Sequence, residues 1–412
     1  MTQLNAKPKA EESAPLHVLI IGAGVVGTTL AQALRKYNIP FTVFERDISA
    51  TSRGQGWGIT IHWALPSLDI CLPTHIREKL SDIQVDPEQG KVDRGNFLFI
   101  NLQTGAVESK VPPNKRLRIK REGLRKLLSE DIPVQWNKKL VNFETTDNGV
   151  TAFFEDGTTA SGSIIIGAEG SRSRTREIIC PDMYQLQPLP IRSSGLAVQF
   201  TPEQAAPLRA YDPLLFQGMH PVTEAFLWFS TIDTPQTNAT GGDYYTIQLI
   251  ISWRPAPGEE APRNSTERLE KMKQQAAEFA EPFRSAIMAV PEGTEVTDVR
   301  LADWPCLEWD NRHGRATLVG DAAHAMTMYR GEAANHGIMD AAKLVGKLVE
   351  VHEGKVGLRE AVDDYEEEVR ARTRPAVLLS RKACIDAHDW KTAMGGESPL
   401  LARRAVSLTK DA

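Results

Sequence analysis

A glycine-rich turn between two apolar segments near the N-terminus places the strongest constraint on the fold. Residues 16–21 read LHVLII, an aliphatic run typical of a strand that is buried on both faces. Gly22, Gly24 and Gly27 follow at once with GxGxxG spacing, and a helical pattern of apolar residues begins directly after them. Residues 41–44 (FTVF) form a second apolar strand. This order predicts a βαβ unit with two parallel strands and a right-handed connection.

The residue types of this unit indicate a bound dinucleotide. Gly22 permits the tight turn, Gly24 lets a pyrophosphate approach the backbone at a helix N-terminus, and Gly27 allows close packing of helix on strand. Glu45 ends the second strand, where a carboxylate accepts hydrogen bonds from ribose hydroxyls. This acid favours NAD or the adenosine half of FAD over NADP at this site. The alternative is a glycine-rich turn without a ligand.

A second stretch with an unusual residue pattern lies at 318–341 and reads LVGDAAHAMTMYRGEAANHGIMDA. Asp321 comes directly after a short apolar strand, and a second helix begins near Gly331 with almost only small residues. Bare N–H groups at a helix N-terminus attract anions or carbonyl oxygens, and a carboxylate beside them suits hydroxyl groups on the same ligand. The stretch therefore predicts a ligand that is part sugar alcohol and part anion.

The middle of the chain has a different pattern. Residues 225–233 (AFLWFSTID) and 243–255 (DYYTIQLIISWRP) are aromatic and β-branched, and no helical pattern separates them, which predicts an antiparallel sheet. Asn264, followed three residues later by Glu, predicts the start of one helix that continues to about residue 290. A charged helix from Leu358, broken or kinked near Pro375, is expected to end the chain.

Composition excludes several classes of partner. A net charge of −5 argues against nucleic acid or an anionic membrane as the main partner, and no apolar run approaches the ~20 residues of a membrane helix. Residues 1–14 are polar without an apolar core, so we expect a disordered tail and not a signal peptide. The 4 cysteines form no CxxC pair, which predicts buried free thiols, no metal site and a cytoplasmic location. The oligomeric state is not indicated.

Taken together, these motifs resemble those of the single-component FAD-dependent monooxygenases of the para-hydroxybenzoate hydroxylase type. The resemblance covers residues 16–390 and includes three fingerprints in the family's order. These are the GxGxxG, the segment IIIGAEGSRSRTRE at 164–177, which is similar to the family's Asp-Gly motif, and Gly320-Asp321, which matches its Gly-Asp motif. A flavin dinucleotide contains the sugar alcohol and the anion that the stretch at 318–341 requires.

The resemblance implies an α/β fold with a Rossmann-like FAD-binding domain of the GR2 type. An inserted α+β substrate domain with an antiparallel sheet and a C-terminal helical segment complete the expected architecture. The expected boundaries are a tail at 1–14, an FAD-binding domain at 15–81, 111–183 and 296–352, a substrate domain at 82–110 and 184–295, and a helical region at 353–412.

The resemblance also implies a set of cofactor contacts. Arg121 matches a helix-opening arginine that contacts FAD, and a cation at a helix N-terminus independently suggests an anionic partner, although a solvated surface arginine is the alternative. Asp321 matches the residue that holds the ribityl chain, and Ala334 the backbone N–H at the flavin N1/O2 edge. The residues expected to bind FAD are Gly22, Gly24, Gly27, Glu45, Arg53, Gly56, Gly58, Arg121, Asp321, Gly331, Ala334 and Asn335.

The activity implied by the resemblance is hydroxylation or epoxidation of an aromatic, indole, polyketide or terpenoid small molecule. In the family, NADPH or NADH binds transiently and reduces the flavin, and dioxygen then forms a flavin C4a-hydroperoxide that transfers oxygen. Aromatic residues of the predicted antiparallel sheet would roof the cavity, and strand alternation lets about half of them face it; these are Phe226, Trp228, Phe229, Tyr244 and Tyr245. Arg192 is a candidate catalytic residue that would favour a phenolate by its charge, with a surface or salt-bridged arginine as the alternative.

Three departures from the family pattern keep other functions open. Glu169 replaces the usual Asp, Met328 a common proline, and Ala333 a usual glycine. They motivate an FAD-binding cyclase or rearrangement enzyme without net redox change. A flavin-dependent halogenase is a further alternative, although 225–233 lacks the WxWxIP pattern, and a flavin-binding regulator stays open. The remaining expectations are a local hydrogen bond for His324, and either pocket lining or core packing for Trp57 and Trp63.

Overall fold

The computed structural model describes residues 15–52, 56–93, 95, 97–111 and 115–402. In chain order its strands are β1 (Val18–Ile21), β2 (Phe41–Phe44), β3 (Gly58–Ile61), β4 (Phe97–Asn101), β5 (Val107–Val111), β6 (Leu117–Lys120), β7 (Val134–Gln135), β8 (Leu140–Thr146), β9 (Gly149–Phe154), β10 (Thr159–Gly162), β11 (Ile164–Gly167), β12 (Gln187–Pro188), β13 (Arg192–Phe200), β14 (Leu215–Met219), β15 (Phe226–Asp233), β16 (Tyr245–Trp253), β17 (Thr297–Asp298), β18 (Ala302–Asp303) and β19 (Ala316–Leu318).

The helices lie between these strands and after them. In chain order they are α1 (Val25–Lys36), α2 (Leu65–Cys71), α3 (Thr74–Arg77), α4 (Pro87–Val92), α5 (Arg121–Leu128), α6 (Arg174–Ile179), α7 (Pro202–Arg209), α8 (Ser265–Ala276), α9 (Phe283–Met288), α10 (Asp321–His324), α11 (Ala333–His352), α12 (Leu358–Asp386) and α13 (Trp390–Met394), with single 3₁₀ turns at Glu78–Leu80 and Met328–Arg330.

The first main sheet, called here the parallel sheet, has the strand order β19-β11-β1-β2-β7. Every neighbouring pair in it runs parallel, and β1-α1-β2 forms the predicted βαβ unit. All residues of β1, and Ile164, Ile165 and Ile166 of β11, are buried, because α1 and α6 pack against this sheet together with strands β9 and β10. The carboxyl ends of β1, β11 and β19 meet at one edge, which places Gly22, Ala168 and Gly320 next to one another.

The second main sheet, called here the mixed sheet, has the order β17-β13-β16-β15-β14-β4-β5. Its neighbours pair antiparallel except β4 and β14, which run parallel, so the antiparallel pairing expected for the segments of β15 and β16 is confirmed. β4 and β14 can run parallel because no hairpin joins them. The chain between them contributes β7 and β11 to the parallel sheet before it reaches β14. The α/β fold class with parallel and antiparallel sheets is confirmed.

The two faces of the mixed sheet have different partners. One face carries aliphatic and aromatic residues such as Leu227, Phe229 and Leu249 and packs against α8 and α9. The other face carries Phe226, Trp228, Ser230, Gln248 and Ile250, because side chains alternate along each strand. This second face, called here the inner face, is turned towards the parallel sheet.

The helices differ from expectation at two places. Asn264 caps α8 as predicted, since its side chain accepts a hydrogen bond from the backbone N–H of Glu267 at 3.0 Å, but the expected single helix is divided into α8 and α9. Of the break or kink expected at Pro375, the break is wrong, because the 29-residue helix α12 continues through this proline, and the kink stays a prediction. Burial of an apolar face that includes Tyr365, Val369 and Val377 compensates for the backbone hydrogen bond that a proline removes.

The predicted domain boundaries stay predictions. The parallel sheet takes its strands from 18–44, 134–135, 164–167 and 316–318, and the mixed sheet from 97–111 and 192–298. The predicted tail at 1–14 lies outside the described residues. Within the described ranges, every helix is too short or too polar to cross a lipid bilayer. The cysteines, all of which are described, are free and buried: Cys71, Cys180, Cys306 and Cys384.

A buried histidine joins the C-terminal helices to the inner face of the mixed sheet. His388 has Nδ1 2.8 Å from the carbonyl of Cys384 and Nε2 2.9 Å from Ser252 Oγ. Because a carbonyl only accepts, Nδ1–H donates to it and Nε2 accepts from the serine hydroxyl, which itself accepts from Tyr329 OH at 2.7 Å. This arrangement fits a neutral ring, and burial lowers the pKa of His388 to about 4, which keeps the ring neutral above that pH.

This arrangement predicts a loss of stability in acid. The unfolded chain binds a proton at His388 with an ordinary pKa near 6.5, so the free energy of unfolding should decrease as the pH falls from 6.5 through 4, by up to about 3 kcal/mol. Denaturant unfolding at a series of pH values measures this slope. His388→Gln should flatten it, whereas His75→Gln, at an exposed position, should leave it unchanged. An identical slope in wild type and His388→Gln would contradict the assignment.

Candidate active site

The carboxyl ends of β1, β11 and β19 open into a cavity of about 1110 Å³. Gly22, Glu45 and Asp321 lie at its parallel-sheet side, and Trp228 and Ile250 of the inner face lie at its opposite side. Pockets for a single small ligand usually measure roughly 300–1,000 Å³. The cavity therefore has room for a large cofactor together with a second, smaller molecule.

The three glycines of the GxGxxG have different roles. Gly22 has φ +108°, and a Cβ there would lie 2.5 Å from the Ala168 carbonyl oxygen. A Cβ on Gly27 would lie 2.0 Å from the Gly22 carbonyl oxygen, and Gly27 does not line the cavity, so it serves helix packing. A Cβ on Gly24 would meet nothing within 4 Å. Gly24 lines the cavity as the N-cap of α1, whose first-turn N–H groups are available to an anion.

Glu45 both lines the cavity and holds the glycine turn in place. Its carboxylate accepts hydrogen bonds from the backbone N–H of Ala23 at 2.8 Å and of Asp47 at 3.1 Å. Arg125, a buried residue that the sequence analysis missed, supports the same turn, since its Nε donates to the Ala23 carbonyl at 2.8 Å and its Nη2 lies 3.7 Å from Glu45. Its position one helical turn after Arg121 was the available indication.

Asp321 is the first residue of α10 and follows Gly320, whose φ is +62°. No hydrogen bond from the described residues reaches the Asp321 carboxylate, which faces the cavity. Burial raises the pKa of Asp321 above its ordinary value, and nearby cationic groups, among them Arg121 and Arg176, oppose that rise. An acceptor of this kind is completed by hydroxyl donors of a ligand.

Buried polar groups behind Asp321 fix its backbone. Arg176 donates to the carbonyls of Asp321 at 3.3 Å and Ala322 at 3.0 Å, and its guanidinium lies 5.1 Å from the centre of the Trp304 ring. His324 Nε2 lies 2.6 Å from Asp340 Oδ2, which also accepts from the Gly320 N–H at 2.7 Å. The expected local hydrogen bond of His324 is confirmed. The sequence analysis missed Arg176 and Asp340, because no motif pairs them with Asp321.

Glu169 has a local role that explains its longer side chain. Its Oε2 accepts from Ser173 Oγ at 2.6 Å, and its Oε1 accepts from the Thr175 backbone N–H at 3.0 Å and from Thr175 Oγ1 at 2.8 Å. The carboxylate therefore caps the start of α6 while it lines the cavity. Burial raises its pKa, and these hydrogen bonds oppose the rise. The other two departures, Met328 and Ala333, also line the cavity.

Of the remaining residues predicted to contact the cofactor or the pocket, some line the cavity and others lie away from it. Gly58, Arg121, Gly331 and Ala334 line the cavity, as does Trp57. Gly56 lies against the Arg121 side chain, and Trp63 packs on the core beside His336. Arg53 lies outside the described residues.

Asn335 does not line the cavity, and its expected role in binding the cofactor stays a prediction. Its Oδ1 accepts from the His62 N–H and its Nδ2 donates to the Thr60 carbonyl, both at 2.9 Å. Asn335 is buried, and these bonds tie the first turn of α11 to β3 and the residue after it. A structural amide of this kind satisfies backbone groups that would otherwise be buried without partners.

The prediction of Arg192 as a catalytic residue is wrong. Its guanidinium donates to the backbone carbonyls of Glu259 and Glu260, both at 2.5 Å, and it is not among the cavity-lining residues. Arg192 begins β13, where it pairs with Trp253 at the end of β16, and its side chain extends to the loop that follows β16. Linear sequence cannot distinguish this edge position from the inner face.

Alternation decides the roles of the five aromatic candidates. Trp228 lines the cavity, whereas Phe226, on the same face, packs against Tyr329 at 5.1 Å between ring centres. Phe229 lies on the opposite face and stacks on Phe216. Tyr244 pairs its hydroxyl with Thr240 at 2.7 Å, and Tyr245 lies under Arg209. One of the five therefore contacts the cavity.

Comparison with known proteins agrees with this geometry. A family model described as FAD binding domain matches residues 124–380. FAD-dependent monooxygenase dbaB of Emericella nidulans is 45% identical over 82% of this chain and 88% of its own length. FAD-dependent monooxygenase phnB of Penicillium herquei is 36% identical over 94% of each chain. This chain belongs to the FAD-dependent monooxygenases.

The solved structures include the same fold. The 2,6-dihydroxypyridine-3-hydroxylase from Arthrobacter nicotinovorans matches this monooxygenase with a TM-score of 0.74 and 16% identity, over 97% of this chain and 100% of the other. The cavity of the monooxygenase independently fits FAD: Gly24 leaves the N-terminus of α1 open where a pyrophosphate would lie, and Asp321 offers an acceptor to hydroxyl groups.

Substitution of the glycines should separate cofactor binding from folding. Gly24→Val adds a side chain in open space at a backbone angle that valine adopts, so the free energy of unfolding of the apoprotein should change by no more than about 1 kcal/mol. FAD affinity, measured by quenching of flavin fluorescence, should fall on the order of 100-fold. Gly27→Ala should instead destabilise the apoprotein, because its Cβ meets the Gly22 carbonyl. Wild-type FAD affinity in Gly24→Val would refute the pyrophosphate site.

The raised pKa of Asp321 predicts pH-dependent binding of FAD. An ionised carboxylate accepts hydrogen bonds from ribityl hydroxyls better than a protonated one, so FAD affinity should decrease as the pH falls towards the pKa of Asp321. Fluorescence titrations across the acidic range measure this dependence. Asp321→Asn should weaken binding and remove the pH dependence, while Asp310→Asn, at an exposed position, should behave as wild type. An unchanged pH profile in Asp321→Asn would assign the proton to another group.

Proposed function

We propose that this monooxygenase uses NADPH or NADH and dioxygen to hydroxylate or epoxidise an aromatic or otherwise electron-rich small molecule. The observation that carries the proposal is the continuity of the cavity from the cofactor residues to the inner face of the mixed sheet. Trp228, Ile250 and Val299 supply an apolar wall at that end. Such a wall suits a flat, hydrophobic substrate beside the redox centre.

The residues assigned to FAD would each hold a different part of it. The open N-terminus of α1 at Gly24 would bind the pyrophosphate, and Glu45 would accept from the ribose hydroxyls. Asp321 would accept from the ribityl chain, and the first N–H groups of α11 at Ala334 would face the electron-rich edge of the flavin ring. When bound, FAD supplies electron transfer from the nicotinamide cofactor and activation of dioxygen.

The protein itself would orient the substrate and exclude water. Met328 and Trp57 line the cavity together with the apolar wall, and their bulk would restrict water near the reacting carbon. Arg121 would place a positive charge beside the cofactor. The nicotinamide cofactor would enter transiently, as the family resemblance implies.

The names of the relatives support an oxidative reaction over cyclisation or halogenation. Glu169 is one of the three departures that motivated the alternative of an enzyme without net redox change. Its carboxylate caps the start of α6, so this departure from the family pattern concerns the local geometry of that helix. Met328 and Ala333 would shape the part of the cavity that borders the flavin. Cytoplasmic location stays a prediction.

Oxygen labelling tests the proposal. The FAD-loaded protein is supplied with NADPH or NADH, ¹⁸O₂ and panels of phenolic, indole and isoprenoid compounds, and products are measured by mass spectrometry. We expect substrate-stimulated oxidation of the nicotinamide and a product that contains one ¹⁸O atom. Asp321→Ala should lose both. A product of unchanged mass that forms without dioxygen would instead indicate a cyclase or rearrangement enzyme.

A further inference from the structure

A buried arginine of the cavity has no acidic partner in the part of the chain that the structure describes. Arg118 lies on β6, is 3% exposed and lines the cavity. Among the described residues, no carboxylate lies within 4 Å of its guanidinium, although nearly every other buried arginine pairs with an acid or with several carbonyls. A charge in such a position has a high desolvation cost unless a ligand supplies the counter-charge.

The hydrogen bonds of Arg118 leave donor capacity for a ligand. Its Nη1 donates to Thr60 Oγ1 at 3.0 Å, and its Nη2 donates to Ser230 Oγ at 2.6 Å. Its Nε is buried and has no hydrogen-bond partner within the described ranges. A guanidinium has five N–H donors, so these two bonds to neutral hydroxyls leave most of its capacity, and all of its charge, uncompensated.

The residues around Arg118 hold its guanidinium in place but do not neutralise its positive charge. A Cβ on Gly58 would lie 2.4 Å from Arg118 Nη2, so the glycine predicted for the flavin loop also makes room for this side chain. Burial lowers the pKa of Arg118 to about 9, and the positive charge of Arg116 acts in the same direction. Other charged groups nearby already have partners, since Arg116 pairs with Asp93 and Lys120 with Asp233.

The surfaces around Arg118 indicate the shape of the missing partner. Its guanidinium carbon lies 5.9 Å from the centre of the Trp228 ring, and Ile250 lies beside Trp228 on the neighbouring strand. Gln248 pairs directly with Ser230 and lines the cavity, and its amide makes no hydrogen bond with the described residues. A ligand with a flat apolar ring system against Trp228 and Ile250 and one oxygen atom at Arg118 would fit this part of the cavity.

We propose that Arg118, with Thr60, Ser230 and Gln248, forms an oxyanion subsite that binds the ionised oxygen of a phenolic or enolic substrate. The inference rests on the proposed oxygenation of an aromatic or conjugated molecule and adds its chemical class and its orientation. Arg118 lowers the cost of ionising the substrate hydroxyl, whose proton leaves to solvent. Ionisation raises the electron density of the ring carbons, which are the positions that accept oxygen. The subsite therefore selects substrates and holds them in their more reactive form.

A chromogenic probe tests this subsite without turnover. The FAD-loaded enzyme is titrated with 4-nitro-1-naphthol, at a pH at which the free compound is mostly protonated, and with its methyl ether, 1-methoxy-4-nitronaphthalene. We expect the naphthol to bind with the absorbance of its naphtholate form and the ether to bind at least about tenfold more weakly. Arg118→Gln should weaken binding of the naphthol on the order of 100-fold and abolish the naphtholate spectrum. Arg118→Lys should retain part of both.

Matched controls distinguish this role from a structural one. Arg192→Gln removes an arginine of the mixed sheet that lies outside the cavity and should bind the naphthol as wild type does. Bound FAD per protein, measured from flavin absorbance, should be unchanged in the Arg118 variants. Equal binding with the same naphtholate spectrum in Arg118→Gln would overturn the subsite, as would preference for the ether or binding of neither probe.

Two further results separate this inference from the proposed function. If 4-nitro-1-naphthoate alone depends on Arg118, the site binds a carboxylate and the phenolate assignment is wrong. If ¹⁸O enters a product but binding of the naphthol is independent of Arg118, oxygenation stands and the subsite fails. If Arg118 controls binding of the naphthol but no compound takes up ¹⁸O, the subsite stands and the oxygenase proposal fails.

Discussion

The meeting of three parallel strands at one edge is the constraint on which the site depends. The carboxyl ends of β1, β11 and β19 are brought together by backbone pairing between segments that lie about 150 residues apart in the chain. Each strand delivers a different group to the same cavity: Gly22 and the start of α1, Glu169, and Asp321. Because parallel strands end at a common edge, their following turns share one crevice, and this is where ligands of α/β sheets bind.

The buried charged side chains differ in whether another residue of the protein neutralises their charge. Behind the cavity, Asp340 is paired with His324 and Arg372, and at its wall Glu45 lies near Arg125, so these charges are compensated by the protein. Within the cavity, Asp321 and Arg118 lack a hydrogen-bonded or ionic partner of opposite charge among the described residues. Buried charges without partners are costly, and such groups concentrate where a ligand completes them. In the proposed function, Asp321 lies at the cofactor end of the cavity and Arg118 at the substrate end.

Local patterns predicted the elements that depend on neighbouring residues. The glycine turn between β1 and α1, the start of α5 at Arg121 and the cap of α8 at Asn264 agree with the sequence analysis. The errors occurred where distant residues decide the outcome. Arg192 extends to the loop after β16 instead of into the cavity, and α12 continues through Pro375 because its neighbours bury one face. Propensity alone cannot anticipate such tertiary compensation.

The amino-acid sequence by itself determined the βαβ unit, the fold class and eight cavity-lining residues among the twelve expected to bind FAD, because motif spacing encodes turn geometry and helix starts. Only the tertiary structure decided which face of the mixed sheet is turned inward, and therefore that Trp228 and not Phe229 lines the cavity. It also decided that Arg118 is buried without a counter-charge from the residues that the structure describes. Which residues are buried, and which side chains they contact, depends on segments that lie far apart in the chain. The periodicity of the sequence therefore does not predict these contacts.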